Sequence, residues 1–353
     1  EVNGTTIVSE DASQVDLSLC DEVSDNLETS FDENLQAQST FVITNSTFND
    51  YFTGGELNDK VDAGSTLDFQ GTFNGPDYKV NITKPVNIIS STHDALFNAT
   101  GKTLSSGGCF HISSDGSGTN VSDIKFLNSA FYVTNAANIV IDNISMVANA
   151  SGIGQGTGFM CIQSGSRYVT IKNSYFENGG TGSSMVVIGY SDYCLFDSNE
   201  VYMSGGSGNS VYLTTFVSSG HNLPTGNIIS NNYIHGKQSG FCIPLVVVGN
   251  DNVIYNNTIN YTGPSGISNQ YYSPAPSNTT YTNNVLIGGC AFTAGVDSYI
   301  SHNSVEGSLN AGTNSYVLQN DVGGTIAAGA NCTVTENKMK SLSLSKPNVV
   351  VDN

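Results

Sequence analysis

The chain has 353 residues with 38 Gly, no Trp and only 12% charged residues, a composition typical of long β-rich structures with many turns. Its net charge of −19, with Arg167 as the single arginine, argues against binding to nucleic acid or anionic lipid, because either ligand requires clustered cations. No stretch approaches the roughly 18 apolar residues that a membrane-spanning helix requires, so we predict no membrane insertion.

The N-terminal segment, residues 1–38, is acidic and contains few large apolar side chains. Ten of the 30 acidic residues fall within residues 1–36, where the sequence has no Lys or Arg. A stretch with high net charge and little apolar surface cannot bury enough area to fold. We therefore predict a flexible segment.

Residues 39–64 are predicted to form an N-terminal cap. Thr40–Thr44 has the composition of a strand, and Thr47 followed by Asp50 is a helix-start signal. Apolar residues then recur at helical spacings: Phe48, Tyr51, Phe52, Leu57 and Val61. A short amphipathic helix here would cover the first coil of a β-structure and block edge-to-edge pairing.

From Val121 onward a short motif, apolar-x-x-Asn-x-apolar, recurs along the chain. We call its Asn position the Asn slot. Seven copies carry asparagine there: Asn199, Asn232, Asn257, Asn284, Asn303, Asn320 and Asn337. Three earlier copies carry Ile124, Ile144 and Ser174 instead. Successive slots lie 20, 30, 25, 33, 25, 27, 19, 17 and 17 residues apart, a period typical of a solenoid.

Each copy places strand-forming residues around a sharp bend, and no helical period runs through it. Coils stacked about 4.8 Å apart would pair all strands in parallel and bury a continuous core. Asn suits the bend because it tolerates left-handed backbone angles, and stacked amides can bond along the axis as an asparagine ladder. We therefore predict an all-β parallel β-helix over residues 65–353. Val350 and Asn353 begin another copy, so we expect a C-terminally truncated solenoid.

Differences in coil length indicate where loops leave the solenoid. Slots between Ile144 and Asn284 lie 25 to 33 residues apart, whereas the last three intervals are 17 to 19. The main excursions are Ala148–Thr157, Ser204–Gly226 and Asn260–Asn278. Insertions in solenoids collect on one face, often the binding face. Tyr261, Tyr271 and Tyr272 are the predicted binding residues, because aromatic rings stack on sugars, although packing within the loop is the alternative.

The cysteines show no metal-binding spacing such as Cys-x-x-Cys. They are Cys20, Cys109, Cys161, Cys194, Cys242, Cys290 and Cys332. Most lie in apolar strands, so we predict that the six after Cys20 are mostly free and buried. Free thiols in an exported protein would indicate an anaerobic host, because oxidising surroundings favour disulfides.

Three stretches ahead of the repeats carry a family resemblance: Thr40–Thr44, Gly64–Gly71 and Ile82–Ser90. With the Asn repeats, they make residues 40–353 resemble the adhesin-like proteins of methanogenic archaea. The resemblance implies an exported, right-handed parallel β-helix that binds other cells or surface glycans. It implies no catalytic motif, and it agrees with free cysteines because methanogens are strict anaerobes.

A polysaccharide-cleaving enzyme is the alternative, because parallel β-helices often carry such sites. A hydrolase needs carboxylates facing one groove, and a lyase needs a base beside acids that hold Ca²⁺. Asp192, Asp197 and Glu200, with Arg167, are the candidates. Asp197 lies inside the repeat, where acids usually cap turns, so structural roles and metal binding compete with catalysis. We interpret His235 as an exposed turn residue.

The main prediction is an extracellular or cell-surface adhesin domain, not an enzyme, that binds glycans or proteins on partner organisms. The first alternative is a polysaccharide lyase or hydrolase on a pectate-lyase-like β-helix, and the second is a structural surface stalk. No cofactor is predicted, with Ca²⁺ left open.

Overall fold

A computed structural model describes residues 39–75, 78–100, 110–149, 159–179, 184–204, 211–214, 223–237, 243–269, 277–351 and 353. The chain divides after Gln36, and the acidic segment 1–38 lies outside the described residues. Tyr271 and Tyr272 also lie outside them, as do large parts of the three predicted excursions. Among the helices that are described, none is long and apolar enough to span a membrane.

The described strands stack into three long parallel sheets, and successive coils add one strand to each; the exception is Phe52–Thr53, which pairs antiparallel with Glu56–Leu57. Sheet I precedes the Asn slot. Its strands are Thr40–Ile43, Thr66–Phe69, Asn87–Ile89, Asn120–Ser122, Ala137–Asp142, Arg167–Lys172, Leu195–Asp197, Ile228–Ser230, Val253–Tyr255, Thr280–Thr282, Tyr299–Ser301, Tyr316–Leu318, Thr333–Thr335 and Val349–Val351. The prediction of a parallel β-helix solenoid is therefore confirmed.

Sheet II follows the Asn slot. Its strands are Thr72–Asn74, Leu96–Asn98, Lys125–Leu127, Ser145–Ala148, Tyr175–Asn178, Glu200–Met203, Tyr233–Gly236, Thr258–Tyr261, Val285–Ile287 and Ser304–Val305. The long strands Asp321–Ala328 and Lys338–Leu344 belong to sheet II at their start and to sheet III at their end, because the last coils are too short for a separate loop.

Sheet III closes each coil. Its remaining strands are Glu56–Leu57, Val80–Ile82, Phe110–Ile112, Phe131–Thr134, Met160–Gln163, Val186–Gly189, Val211–Thr214, Leu245–Val246, Ser265–Ser268, Ala291–Thr293 and Leu309–Ala311. A 3₁₀ turn, Ser114–Gly116, connects sheet III to sheet I in one coil.

The predicted cap contributes to the solenoid itself. Thr40–Ile43 is the first strand of sheet I and pairs in parallel with Thr66–Phe69, so the sheet begins inside the segment assigned to the cap. A helix follows but spans only Phe48–Tyr51. The buried Phe48 ring stacks on Phe52 at 4.6 Å between centroids, which places the helix against the first core layer.

The core consists of like side chains stacked from coil to coil. Phe73, Phe97 and Phe126 form one aromatic column, with centroids 4.9 and 5.7 Å apart and nearly parallel rings. Aliphatic columns continue it, and these side chains are almost completely buried. Such stacking lets each coil cover the apolar surface of its neighbour, which no single coil could bury alone.

The seven slot asparagines form one continuous buried row. Asn199 donates its backbone N–H to Asn232 Oδ1 at 2.9 Å and its side-chain amide to the same oxygen at 3.2 Å. The amide of Asn232 also donates to the carbonyl of Phe196 at 2.9 Å. Asn353 extends the row, because its Oδ1 accepts from the backbone N–H of Asn337. Each amide therefore satisfies backbone groups that the bend exposes within the core.

The left-handed residue of the bend is the one before the slot, not the slot itself. Ser198, Asn231 and Asn256 have φ of 54°, 56° and 52°, while the slot asparagines have no positive φ. Our explanation of Asn by tolerance of left-handed angles is wrong for the slot. Asn is required there because its amide both donates and accepts inside the core.

A second buried row lies five residues before the Asn slot, at the bend that leads from sheet III to sheet I. Its buried members are Cys194, Asn227, Asn252, Thr279, Ser298, Ser315 and Cys332, and the half-buried Asn348 takes the same position in the last coil. The backbone N–H of Cys194 donates to Asn227 Oδ1 at 3.0 Å, and that of Asn227 to Asn252 Oδ1 at 3.0 Å. Small polar side chains and cysteine therefore fill one structural position.

The described cysteines are buried, as predicted from their strand settings. Cys194, Cys290 and Cys332 are free thiols, and Cys161 is also buried. Burial raises the pKa of Cys194 to about 12 and that of Cys290 to about 11, so both stay protonated and unreactive at neutral pH. Cys20, Cys109 and Cys242 lie outside the described residues.

Candidate functional site

The outer surface of sheet II carries one concentration of chemically active side chains. In each coil, the first and third positions after the Asn slot point outward. In three adjoining coils both positions hold an aromatic or ionisable residue: Tyr175, Glu177, Glu200, Tyr202, Tyr233 and His235. We call these six residues the Tyr–Glu–His face. The coils on either side carry Ser145, Val147, Thr258 and Asn260 at the same positions.

The solenoid geometry brings these residues together although they lie up to 60 positions apart in the chain. The second position after the slot points inward, as the buried Phe176, Val201 and Ile234 show. Because side chains alternate along a strand, the first and third positions must point to solvent. Parallel pairing then places Tyr175 beside Glu200, and Glu200 beside Tyr233.

Hydrogen bonds hold the two carboxylates of the face. The Tyr175 hydroxyl donates to Glu177 Oε2 at 3.0 Å. His235 Nε2 lies 2.8 Å from Glu200 Oε1, with the imidazole 22% and the carboxylate 49% exposed. Each carboxylate therefore has one oxygen fixed by a neighbour.

Stacked rings form the other half of the face. The His235 ring lies between two tyrosines, with its centroid 4.2 Å from Tyr233 and 5.0 Å from Tyr202. The Tyr233 ring is nearly parallel to the imidazole and is 41% exposed. Exposed aromatic surface beside carboxylates is suited to holding a sugar ring next to an acid–base pair.

The Tyr175 hydroxyl is locked in its protonated form. Burial, the hydrogen bond to Glu177 and the negative charges of Glu177 and Glu200 raise the pKa of Tyr175 to about 12. Tyr175 therefore acts as a hydrogen-bond donor at neutral pH and is poorly suited to act as a base.

Glu177 and Glu200 are diagonal neighbours on adjacent coils. One strand spacing of about 4.8 Å and a two-residue offset of about 6.6 Å separate their backbones by roughly 8 Å. Glycoside hydrolases use a pair of carboxyl groups, one protonating the leaving oxygen and one attacking or activating water. The face therefore has the functional groups for hydrolysis of a glycosidic bond.

The four residues predicted from sequence as a catalytic cluster do not form one group. Asp192 accepts a hydrogen bond from the Thr225 backbone at the far end of sheet I. Arg167 is the parallel neighbour of Asp192 there. Asp197 accepts from Ser198, Ser230 and Asn231, so it caps the bend. Only Glu200 belongs to the Tyr–Glu–His face, so the four residues are spread over more than one part of the surface, and a catalytic role for the other three stays a prediction.

Tyr261 is also placed differently from the prediction. Its side chain is 2% exposed and packs against Gly263, where an added Cβ would lie 2.1 Å from the ring. It stands at the fourth position after the slot, which points inward like Met203. A buried ring cannot stack on a ligand, so Tyr261 is a core residue.

Sequence reasoning missed five residues of the face, although a signal was present. Aligning the copies on the Asn slot puts tyrosine, glutamate or histidine at both outward positions in three consecutive coils and in no other copy from Ile124 to Asn337. His235 is one of these residues and not an isolated turn histidine.

No cluster of three or more His, Cys, Asp or Glu able to hold a metal occurs among the described residues. Calcium binding stays a prediction.

Comparison with solved structures identifies similar folds in carbohydrate-active enzymes. The catalytic domain of a GH87 alpha-1,3-glucanase in complex with nigerose aligns with a TM-score of 0.53 at 13% identity, covering 90% of this chain and 68% of that one. A variant of such a domain in complex with tetrasaccharides aligns with a TM-score of 0.51 at 13% identity, covering 90% and 69%. An alginate lyase from Paenibacillus sp. str. FPU-7 aligns less closely, with a TM-score of 0.47 at 14% identity, covering 89% and 98%.

At these identities the likeness shows a shared fold. No protein-family model and no curated protein matches the sequence. The main sequence-based prediction is an adhesin that is not an enzyme. It is contradicted, because the similar structures are carbohydrate-active enzymes. They agree better with the alternative prediction, a polysaccharide-cleaving enzyme. The archaeal origin implied by the family resemblance stays a prediction.

Proposed function

We propose that this chain is a glycoside hydrolase that cleaves a neutral polysaccharide, with Glu177 and Glu200 as its two catalytic carboxylates. The observation that carries the proposal is their diagonal placement on the Tyr–Glu–His face, each held by one hydrogen-bonding neighbour. The glucanase domains with similar folds support it, because their structures hold nigerose or tetrasaccharides.

The hydrogen-bond partners suggest different roles for the two carboxylates. His235 fixes one oxygen of Glu200 and can receive a proton, so Glu200 is the residue that activates water. Tyr175 fixes Oε2 of Glu177, so in the role of acid Glu177 would first take up a proton at its other oxygen, Oε1, and then deliver it to the leaving oxygen. Tyr202, Tyr233 and His235 provide the ring surface that positions the sugar.

The charge of the face favours a neutral substrate. A lyase acting on uronic acids needs a cation to neutralise the substrate carboxylate and a base to remove the proton. The face has two carboxylates and no Lys or Arg, and the net charge of the chain is −19. The nearby Lys172 faces Asp142 on sheet I at 3.8 Å. Tyr175, with its raised pKa, is a poor base.

A polysaccharide substrate also supports an extracellular location, because intact polymers are met outside the cell. This location is part of the proposal.

The proposal predicts release of reducing ends without unsaturated sugars. The chain would be incubated separately with neutral glucans, xylan and mannan, and with alginate and pectate. We expect new reducing ends from a neutral polymer, because the two carboxylates are proposed to hydrolyse the glycosidic bond. Unsaturated products from alginate or pectate would instead indicate a lyase, and failure to cleave any polymer would reject the proposed function.

A further inference from the structure

The bend between sheet III and sheet I contains an unusual substitution pattern. The residue six positions before the Asn slot, which we call the corner residue, has a positive φ in nine successive coils. The corner residues are Asn138, Tyr168, Tyr193, Gly226, Asp251, Asn278, Asp297, Asn314 and Asn331. Asn, Asp and Gly are the residues that adopt this conformation readily. Tyr168 and Tyr193 are the exceptions.

A bulky side chain in the left-handed region is unfavourable, and such residues concentrate at functional sites. Tyr168 and Tyr193 have φ of 54° and 55° in adjoining coils. Either corner could carry Asn without strain, as the other coils do. A structural role for the bend therefore does not explain the two tyrosines.

The two rings form one exposed aromatic surface. Their centroids are 5.6 Å apart and their planes differ by 14°. Tyr168 is 39% exposed and Tyr193 is 44% exposed. The next corner is Gly226, where an added Cβ would lie 2.6 Å from the Tyr193 ring, so this ring covers the place of the missing side chain. The glycine lets the ring lie along the surface of the solenoid.

Hydrogen-bonding groups border this surface. Arg167 and Asp192 directly precede the two tyrosines and are parallel neighbours. Arg167 is exposed and forms no ion pair with any described residue. Asp192 uses Oδ1 to accept from the Thr225 backbone at 2.9 Å. A ring-sized apolar surface with an arginine and an aspartate next to it in the chain is complementary to a sugar ring, which has an apolar face and peripheral hydroxyls.

We propose that Tyr168 and Tyr193 form a second carbohydrate-binding subsite, separate from the Tyr–Glu–His face, on which rings of a neutral polysaccharide stack. The ligand class rests on the proposed function. The subsite occupies the same coils as Tyr175 and Glu200, seven positions earlier in each, across sheet I. It lies roughly 20 Å from the carboxylates along the coil, so it would hold a polymer near the catalytic face without contacting the bond that is cleaved.

The test replaces the tyrosines with the residue that other corners carry. The full chain with Glu200→Gln, which slows turnover, would be compared with the same chain also carrying Tyr168→Asn and Tyr193→Asn. Binding to insoluble alpha-1,3-glucan, insoluble beta-1,3-glucan and cellulose would be measured in separate arms by depletion from solution. Asp251→Asn, at a corner without a ring, is the matched control.

We expect each lost ring to weaken binding about tenfold, following the strength of ring stacking. The control should bind normally. The thermal midpoint of the double variant should be unchanged or higher, because Asn relieves the left-handed strain. With Glu200 intact, the double variant should cleave short soluble oligosaccharides with unchanged kcat and KM.

Unchanged polymer binding by the double variant would overturn the subsite, and so would a wild-type chain that binds none of the three polymers. A lowered thermal midpoint with normal binding would assign the rings to the fold instead. Failure of the proposed function would give a different result. Cleavage would then persist after loss of Glu177 or Glu200, while the tyrosine variants would still lose polymer binding.

Discussion

Replacing Glu177 or Glu200 with Gln should reduce the kcat of polysaccharide cleavage by about 10²–10⁴-fold, the contribution typical of general acid–base groups. Gln keeps the shape of each side chain but cannot exchange a proton at the same site. KM should change little, because Tyr202 and Tyr233 still contact the sugar. Steady-state kinetics on the polymer identified in the cleavage assay would measure both values.

Asp321→Asn is the matched control for these variants. Asp321 occupies the first outward position after its Asn slot, as Glu200 does, but in a distant coil where it pairs with Lys338 at 2.9 Å. Its replacement should leave cleavage unchanged. Full activity in both glutamate variants would show that the Tyr–Glu–His face takes no part in catalysis.

Replacing Asn257 with Ala should destabilise the solenoid by about 3–5 kcal/mol, because several buried groups lose their partners at once. Asn257 Oδ1 accepts from the backbone N–H of Asn232 at 3.1 Å and from its amide at 2.9 Å. Its own amide donates to the carbonyl of Ile229 at 2.8 Å and to Asn284 Oδ1 at 3.0 Å. Chemical denaturation followed by circular dichroism would report the loss.

Asn256→Ala provides the control from the neighbouring position. Asn256 is exposed, has a φ of 52°, and donates to Asn231 Oδ1 at 2.8 Å. Its replacement should cost only about 1–2 kcal/mol, mainly for placing Ala in the left-handed region. Equal effects at the two positions would show that the buried row is not the stabilising feature.

Most of the fold could be predicted because its rules are local and repeated. The regular spacing of the Asn slots from Asn199 to Asn337 predicts a chain wound into coils. Parallel strand pairing follows when these coils stack on one another. The motif predicts the place of the bend correctly, but it does not predict that the left-handed angle falls on the residue before the slot. That distinction depends on which side chain points inward, and the motif alone does not fix it.

The site was harder to predict because its residues adjoin only after stacking. Glu177 and Glu200 lie 23 positions apart in the chain, and no short motif connects them. Asp192, Asp197 and Glu200 are close in sequence. However, the bend at Asn199 leaves the two aspartates on the sheet I side and places Glu200 on sheet II. Tyr261 could have been excluded, since alternation from the Asn257 slot places it inward.

The claim that the Tyr–Glu–His face cleaves a neutral polysaccharide is tested most directly by a crystal structure of the Glu200→Gln chain with an oligosaccharide of the cleaved polymer. We predict that a glycosidic oxygen lies between the Glu177 carboxylate and the amide introduced by that substitution, with a sugar ring against Tyr202 or Tyr233. An oligosaccharide bound only at Tyr168 and Tyr193, or anywhere else away from this face, would contradict the claim.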